Sequence, residues 1–271
     1  MSDAASCSLP PDRRDASRLL LDGAKFLLLL TAMAWLLGRG SETLGYNWQW
    51  YQVPRHLAQL QDGRFIPGPL LDGLLVTLRI TGQGLILAPC LGLAAALLLL
   101  SGSPVGRFLA RAYVELIRNT PLLIQLFFAA FVMAPLLDLE AETAAVLSLS
   151  LFEGAYAAEI IRAGITSIDR GQWEAAESFG LTTWQAYRHV ILPQALRRVL
   201  PPLAGQAVSL VKDSALVSTI AIHDLTMEGQ IIVSRTFLAF EIWFAVAGLY
   251  LAVTFLLSFL VNRLDKRLRL V

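Results

Sequence analysis

The chain has 271 residues, of which 56% are hydrophobic and 16% charged, and its 22 basic and 21 acidic side chains leave a net charge of +1. Soluble domains carry about 45–50% apolar and about 25% charged residues, so this balance excludes a disordered tail, a nucleic-acid-binding domain and most cytosolic enzymes. Two cysteines, Cys7 and Cys90, and three scattered histidines, His56, His189 and His223, show no metal or redox spacing.

A bilayer span needs about 20 apolar residues, because the hydrocarbon is about 30 Å thick and a helix rises about 1.5 Å per residue. The first apolar run, 26–38, extends to Leu19 if Asp22 and Lys25 sit at the interface. Ala32-Met33-Ala34 resembles a signal-peptide cleavage site but lies inside the run rather than after it, so an uncleaved span is expected. The stretch 39–68 comes next, with Tyr46, Trp48, Trp50, Tyr51 and Phe65, and reads as a helix or loop lying on the membrane surface. The run 70–100 is too long for the bilayer, about 46 Å as a helix. Gly84, Ala88, Gly92 and Ala96 recur along it at every fourth position, a stripe on which another helix can pack closely, and Pro89 should kink it. Further spans are expected at 112–135, 143–167, 202–222 and 239–261.

Lys and Arg are retained on the cytoplasmic side. With six spans and the N-terminus inside, that side holds fourteen of the 22 bases. They are Arg13, Arg14, Arg18 and Lys25, Arg107 and Arg111, the loop bases Arg170, Arg188, Arg197 and Arg198, and Arg263, Lys266, Arg267 and Arg269. Arg39, Arg55, Arg64 and Arg235 fall outside, and the outer loop 136–142 carries acids alone. Both termini are therefore expected in the cytoplasm.

The inside loop Asp169–Pro202 divides into short helices. Asp169 with Gln172 and Thr182 with Gln185 are capping pairs, and Gly180 suits a left-handed helix end. Pro193 should interrupt the helix beyond Thr182, and Pro201 and Pro202 should mark the start of the next span. Trp173 and Ala176 share one apolar face, and Trp184, Tyr187 and Ile191 share another. Within the spans, Glu159 with Arg162 and Glu115 with Arg118 stand three apart and are expected to pair, with a kink at Pro121. Adjacent Lys212 and Asp213 need partners elsewhere.

Glu174-Ala175-Ala176, three residues, Gly180, nine residues and Val190-Ile191-Leu192-Pro193 together resemble the EAA motif of ABC importer permeases, in which the position of Val190 is often Ile. Gly73-Leu74-Leu75-Val76-Thr77-Leu78, Glu115 to Leu122, Ala155-Tyr156-Ala157-Ala158-Glu159 with Arg162, Lys212 to Leu216, and Asp224-Leu225 are similar to the polar amino-acid permease family, the glutamine and histidine uptake type. The resemblance covers about 70–271, and the first 69 residues are an addition to the five-span core usual there. It implies an all-α membrane protein, a type I ABC importer transmembrane domain with one extra N-terminal helix, in the bacterial inner membrane.

The resemblance also implies partners: two cytoplasmic ATPase subunits, a second permease subunit of the same or a different chain, and a periplasmic amino-acid-binding protein. Gly171, Glu174, Ala175, Ala176, Gly180, Leu192 and Pro193 would form the ATPase-coupling region, with Gly180 permitting the turn and Glu174 ordering the loop. The chain has no GxxxxGK[ST] loop, so ATP and Mg would be bound by the ATPase partner and the chain itself is not expected to be an enzyme. Arg79 and Glu153 lie deep in their spans without local partners; either one or both line the substrate path, where an amino acid's carboxylate or ammonium could be met, or they pair between helices. An ion-coupled secondary transporter would call for repeated halves or paired broken spans, and an intramembrane enzyme for a catalytic constellation. The sequence shows none of these.

Overall fold

The computed structural model describes residues 21, 23–33, 35, 38–39, 46–61 and 63–269. It divides the chain into two units, Met1–Trp48 and Gln49–Val271. The tail 1–20, with Arg13, Arg14 and Arg18, lies outside the described residues. The first unit holds α1 (Gly23–Met33), an apolar helix shorter than a span, and an edge-on pair of rings, Tyr46 and Trp48, 5.3 Å apart.

The second unit opens with a 3-10 turn (Trp50–Gln52) and α2 (Val53–Leu57). Strands β1 (Ala58–Gln61) and β2 (Arg64–Pro67) then form an antiparallel hairpin that pairs Ala58 with Pro67 and Gln61 with Arg64. The hairpin replaces the surface helix or loop expected here. Its signal is Asp62-Gly63, a pair suited to a two-residue turn, with Gly63 at φ +73. Residues 49–68 are tied to the helices beyond them. Gly68 donates its N–H to the Leu57 carbonyl at 2.7 Å, and the Gln49 N–H reaches Glu241 Oε1 at 2.6 Å. Leu57 packs on the buried cluster of Leu70, Leu225, Ile232, Leu238, Ile242 and Val246.

Helix α3 (Pro69–Leu100) is followed by α4 (Pro104–Arg118), α5 (Leu122–Phe128), a wide π-turn (Ala129–Met133) and α6 (Ala134–Leu137). Between Pro104–Arg118 and Leu122–Leu137 the axis bends by 106°. The apolar run 112–135 is thus an elbow rather than one straight helix. Pro121, extended at ψ 136, sets the corner, as its ring disfavours helical backbone before it.

Next come α7 (Ala141–Thr166), α8 (Arg170–Ser178), α9 (Thr183–Ala186), a second π-turn (Tyr187–Ile191) and α10 (Leu192–Asp213). A 3-10 segment (Ser214–Ile220), α11 (Leu225–Thr236) and α12 (Ala239–Arg269) complete the chain. Pro201 and Pro202 lie inside α10 rather than at its start. Nor does Pro193 break the path, since α9, the π-turn and α10 run on without a gap. Each π-turn stands just before a proline: Leu192 bonds back to Tyr187 ahead of Pro193, and Ala134 to Ala129 ahead of Pro135. The widened turn accommodates a ring that would otherwise clash with the preceding carbonyl.

Among the described residues, Pro69–Leu100, Ala141–Thr166 and Ala239–Val261 are long and apolar enough to cross a bilayer, and the bent pair makes up to four. Of the six spans the charge pattern predicts, α1 is short and α10 carries Arg197, Arg198, Lys212 and Asp213.

Helices α3 and α7 run parallel, Ile80 sharing a cluster with Ala145 and Leu149 and Ala96 one with Ile161 and Ile165. Small residues make their seam. A methyl group on Gly92 would lie 2.6 Å from Ala157 Cβ, and one on Gly154 would lie 3.2 Å from the Ala88 carbonyl. The stripe read from the sequence is this seam, extended by Gly84 against Leu210 of α10.

Candidate functional site

The loop 169–202 folds as a knob on the end of the bundle. Asp169 caps α8 by accepting the Gly171 N–H at 2.7 Å. Its expected partner Gln172 bonds to it only through the backbone, N–H to the Asp169 carbonyl at 3.0 Å, and its side chain instead accepts from Gln194 Nε2 at 2.9 Å, which joins α8 to α10. Helix α8 ends in a Schellman turn, with Leu181 N–H to Ala176 O and Gly180 N–H to Glu177 O. Gly180 holds φ +70, as expected. Thr182 and Gln185 form the predicted capping box of α9.

Trp173 meets Tyr187 edge to face at 4.9 Å. Both rings pack on the cluster of Ile165, Ile168, Ile191 and Ala195 at the foot of α7 and α10. Ala176 and Ile191 are buried, but Trp184 turns outward, contrary to the face read from spacing. Trp184 is 67% exposed and Phe179 85% exposed. Glu174 pairs with Arg170 at 3.0 Å on the open surface, one turn away on the same helix, and not across the loop. Leu192 and Pro193 come directly after the π-turn at the base of the knob.

Above the knob, Glu159 gathers charges from two helices. Arg162 grips it with Nε and Nη2 at 3.1 and 2.9 Å. Arg118, from the elbow end of α4, reaches it at 3.8 Å and lies over the Tyr156 ring at 5.1 Å. The Glu159–Arg162 pair is as expected. The Glu115–Arg118 pair is not formed: Glu115 accepts from Asn119 Nδ2 at 3.0 Å. Two segments far apart in sequence, Glu115–Leu122 and Ala155–Arg162, thus meet at one carboxylate.

At the opposite end, Asp224 caps α11 through the Met227 N–H at 2.9 Å and accepts from the Tyr250 hydroxyl at 3.2 Å. Thr77 accepts from the Leu225 N–H, and a methyl group on Gly73 would lie 2.8 Å from the Asp224 carbonyl. The Gly73–Leu78 and Asp224-Leu225 motifs are two sides of one contact.

The two residues expected along the substrate path separate. Arg79 has a partner, Glu142 of α7, and its side chain is 57% exposed. Glu153 is 2% exposed and neither carboxylate oxygen has a hydrogen-bond partner. It borders a cavity of about 50 Å³ with Pro89, Leu203, Gln206 and Leu210. Asp213 and Gln206 of α10 face it, as sequence spacing could not show.

The family model described as "Binding-protein-dependent transport system inner membrane component" matches residues 88–270. The chain belongs to this family. It is 39% identical over 205 residues to the glutamine transport system permease protein GlnP of Escherichia coli K12, covering 74% of this chain and 94% of that one. It is 35% identical over 215 residues to the L-cystine transport system permease protein TcyL of Bacillus subtilis, covering 76% and 90%. Among solved structures it is similar to an amino acid ABC transporter with histidines, at TM-score 0.69 and 38% identity over 73% of this chain and 94% of that one. The methionine transporter MetNI, at TM-score 0.64 and 21% identity over 74% and 96%, shows the same fold. This member of the family therefore has the type I ABC importer transmembrane fold. It is a transport subunit of the bacterial inner membrane and not an enzyme.

Proposed function

We propose that the chain carries polar amino acids across the inner membrane by alternating access, driven by ATPase subunits that bind ATP and Mg and press on the α8–α9 knob. The observation that carries this is the knob itself: Phe179 and Trp184 project outward while Trp173 and Tyr187 fasten its inner side to α7 and α10. A force on the outer rings reaches two bundle helices through the inner ones. Gly171, Glu174, Ala175, Ala176 and Gly180 shape the knob, and Leu192 and Pro193 carry its movement into α10. Glu174, paired with Arg170, stiffens α8. The knob and both termini face the cytoplasm, in keeping with the basic residues of the loop. A second permease subunit completes the pore, and a periplasmic amino-acid-binding protein delivers the substrate. Glu153 borders the substrate path, while Arg79 joins Glu142 in holding α3 to α7.

The test is uptake by the complete transporter in proteoliposomes. Uptake of a polar amino acid should need ATP and survive an uncoupler. Trp184→Asp and Phe179→Asp should release the ATPase on purification, whereas Trp173→Ala should keep the ATPase bound but lose coupled uptake. ATP-independent uptake, or full association and transport in the Asp variants, would contradict the reading.

A further inference from the structure

Helix α4 (Pro104–Arg118) has three faces rather than two. A helix advances about 100° per residue, so Gly106, Ala110 and Val114 share the side that packs on the bundle, and all three are buried. Val105, Phe108, Leu109, Ala112 and Leu116 fall within about 100° of arc on a second side. That side is open: Phe108 is 71% exposed and Leu116 67%. Arg107 and Arg111 occupy the third side, both exposed, and neither makes an ion pair among the described residues. Of the other charges on the helix, Arg118 goes to Glu159 and Glu115 accepts from Asn119. The elbow shows which way each side points. Leu116 joins Ile124 and Phe128 of α5 in lining an apolar hollow of about 540 Å³ inside the 106° bend. The open apolar side of α4 therefore faces along α5 and α6 into the hydrocarbon, and the two bases, about 135° round the helix, face away from it. Gly106 lies against Leu98 and Arg118 against Glu159, so α4 crosses α3 and α7 at the knob end of the bundle.

We propose that α4 is an interfacial helix seated in the leaflet at the knob end, with Arg107 and Arg111 binding the phosphates of anionic phospholipids. Charge decides the occupant. The helix offers an apolar side and, well round from it, two bases whose guanidinium groups have no carboxylate to meet. A bilayer rim supplies what both need, hydrocarbon below and phosphate above. A guanidinium also matches a phosphate with two parallel N–H donors, which an ammonium cannot do. The far end of α4 stops at the Arg118–Glu159 contact and the Pro121 corner. Lipid bound along α4 thus holds the near arm of the elbow against the bundle. This surface is separate from the outer rings of the knob and from the Glu153 region, so its test does not depend on transport.

The test is photo-crosslinking of the permease–ATPase complex in vesicles of equal parts phosphatidylcholine and phosphatidylglycerol with identical acyl chains. Benzoylphenylalanine replaces Phe108, whose ring it resembles, and the mass of the permease chain after illumination reports what that side touches. Lipid adducts are expected, with phosphatidylglycerol exceeding phosphatidylcholine by about fivefold or more, since each base near an anionic surface contributes about that factor. Arg107→Gln combined with Arg111→Gln should return the two adducts to parity. If the first replacement fails to assemble, Leu109→benzoylphenylalanine on the same side gives the same readout. A cross-link to a second permease chain or to the ATPase, or no lipid adduct at either position, would overturn the proposal. So would parity with both arginines present, or an enrichment that survives the double substitution.

Discussion

The hydroxyl of Thr77 accepts the backbone N–H of Leu225 at 3.1 Å, across 148 residues of sequence, and donates its own proton to the Gly73 carbonyl at 3.1 Å. Leu225 is the first residue of α11, where backbone donors have no partner within the helix. One buried hydroxyl on α3 thus fixes where the end of the chain re-enters the bundle. Thr77→Val keeps the shape and strands the donor, which costs about 1–3 kcal/mol. Thermal unfolding in detergent should show a lowered midpoint for Val and near wild-type behaviour for Thr77→Ser. Equal midpoints for Thr and Val would remove the bond from the account.

Gly180 occupies the left-handed region at φ +70 with open space around the position a side chain would take. Substitution there is limited by backbone strain rather than by crowding. Gly180→Ala should cost about 1 kcal/mol and Gly180→Val more, while Gly180→Asn should be tolerated. Coupled uptake should follow the same order, with ATP hydrolysis persisting as transport falls. A valine variant with wild-type coupling would show that the turn is not needed.

Gly92 and Gly82 lie on the same helix and predict opposite outcomes. A methyl group on Gly92 collides with Ala157 Cβ and closes on the Gly154 carbonyl, whereas Gly82 has nothing within 4 Å. Gly92→Ala should therefore force α3 and α7 apart and reduce the yield of folded protein. Gly82→Ala should be neutral or raise stability by about 0.5–1 kcal/mol through helix propensity. The yield of monodisperse protein on gel filtration separates the two.

Burial and the neighbouring Arg55 guanidinium hold His56 below the usual imidazole range. A lowered folded-state value means that the unfolded chain takes up the proton first as pH falls. The stability tied to neutral His56 is fully present above the unfolded pKa of about 6.5 and is lost as pH drops through the folded value. The unfolding midpoint should decline on the acid side, and His56→Gln should flatten that decline. A Gln variant with the same acid slope would assign the loss to other groups.

Local rules explain which parts of the site are legible in the sequence. The Thr182–Gln185 box, the Gly180 turn and the Glu159–Arg162 pair each span only a few residues, and all three form as expected. Gln172 escapes such rules because its partner, Gln194, lies on another helix. Spacing misplaces Trp184 because the π-turn at Tyr187–Ile191 adds residues per turn and shifts the phase, leaving Trp184 about a quarter turn away from Ile191. The 106° elbow is hidden for a different reason, since hydropathy is blind to direction and Pro121 predicts only a kink. Glu153 stands out as a charge in an apolar run, but the groups facing it come from α10 and no spacing within α7 could name them.

The seam between α3 and α7 carries a mechanical consequence. Where Gly92 meets Ala157 and Gly154 meets the Ala88 carbonyl, the two backbones leave no slack for sliding. These helices form a single rigid strut. On the proposed coupling, a stroke at the knob would bypass this strut and be taken up by the corner at Pro121 and the widened turns before Pro135 and Pro193, three joints around a fixed pillar.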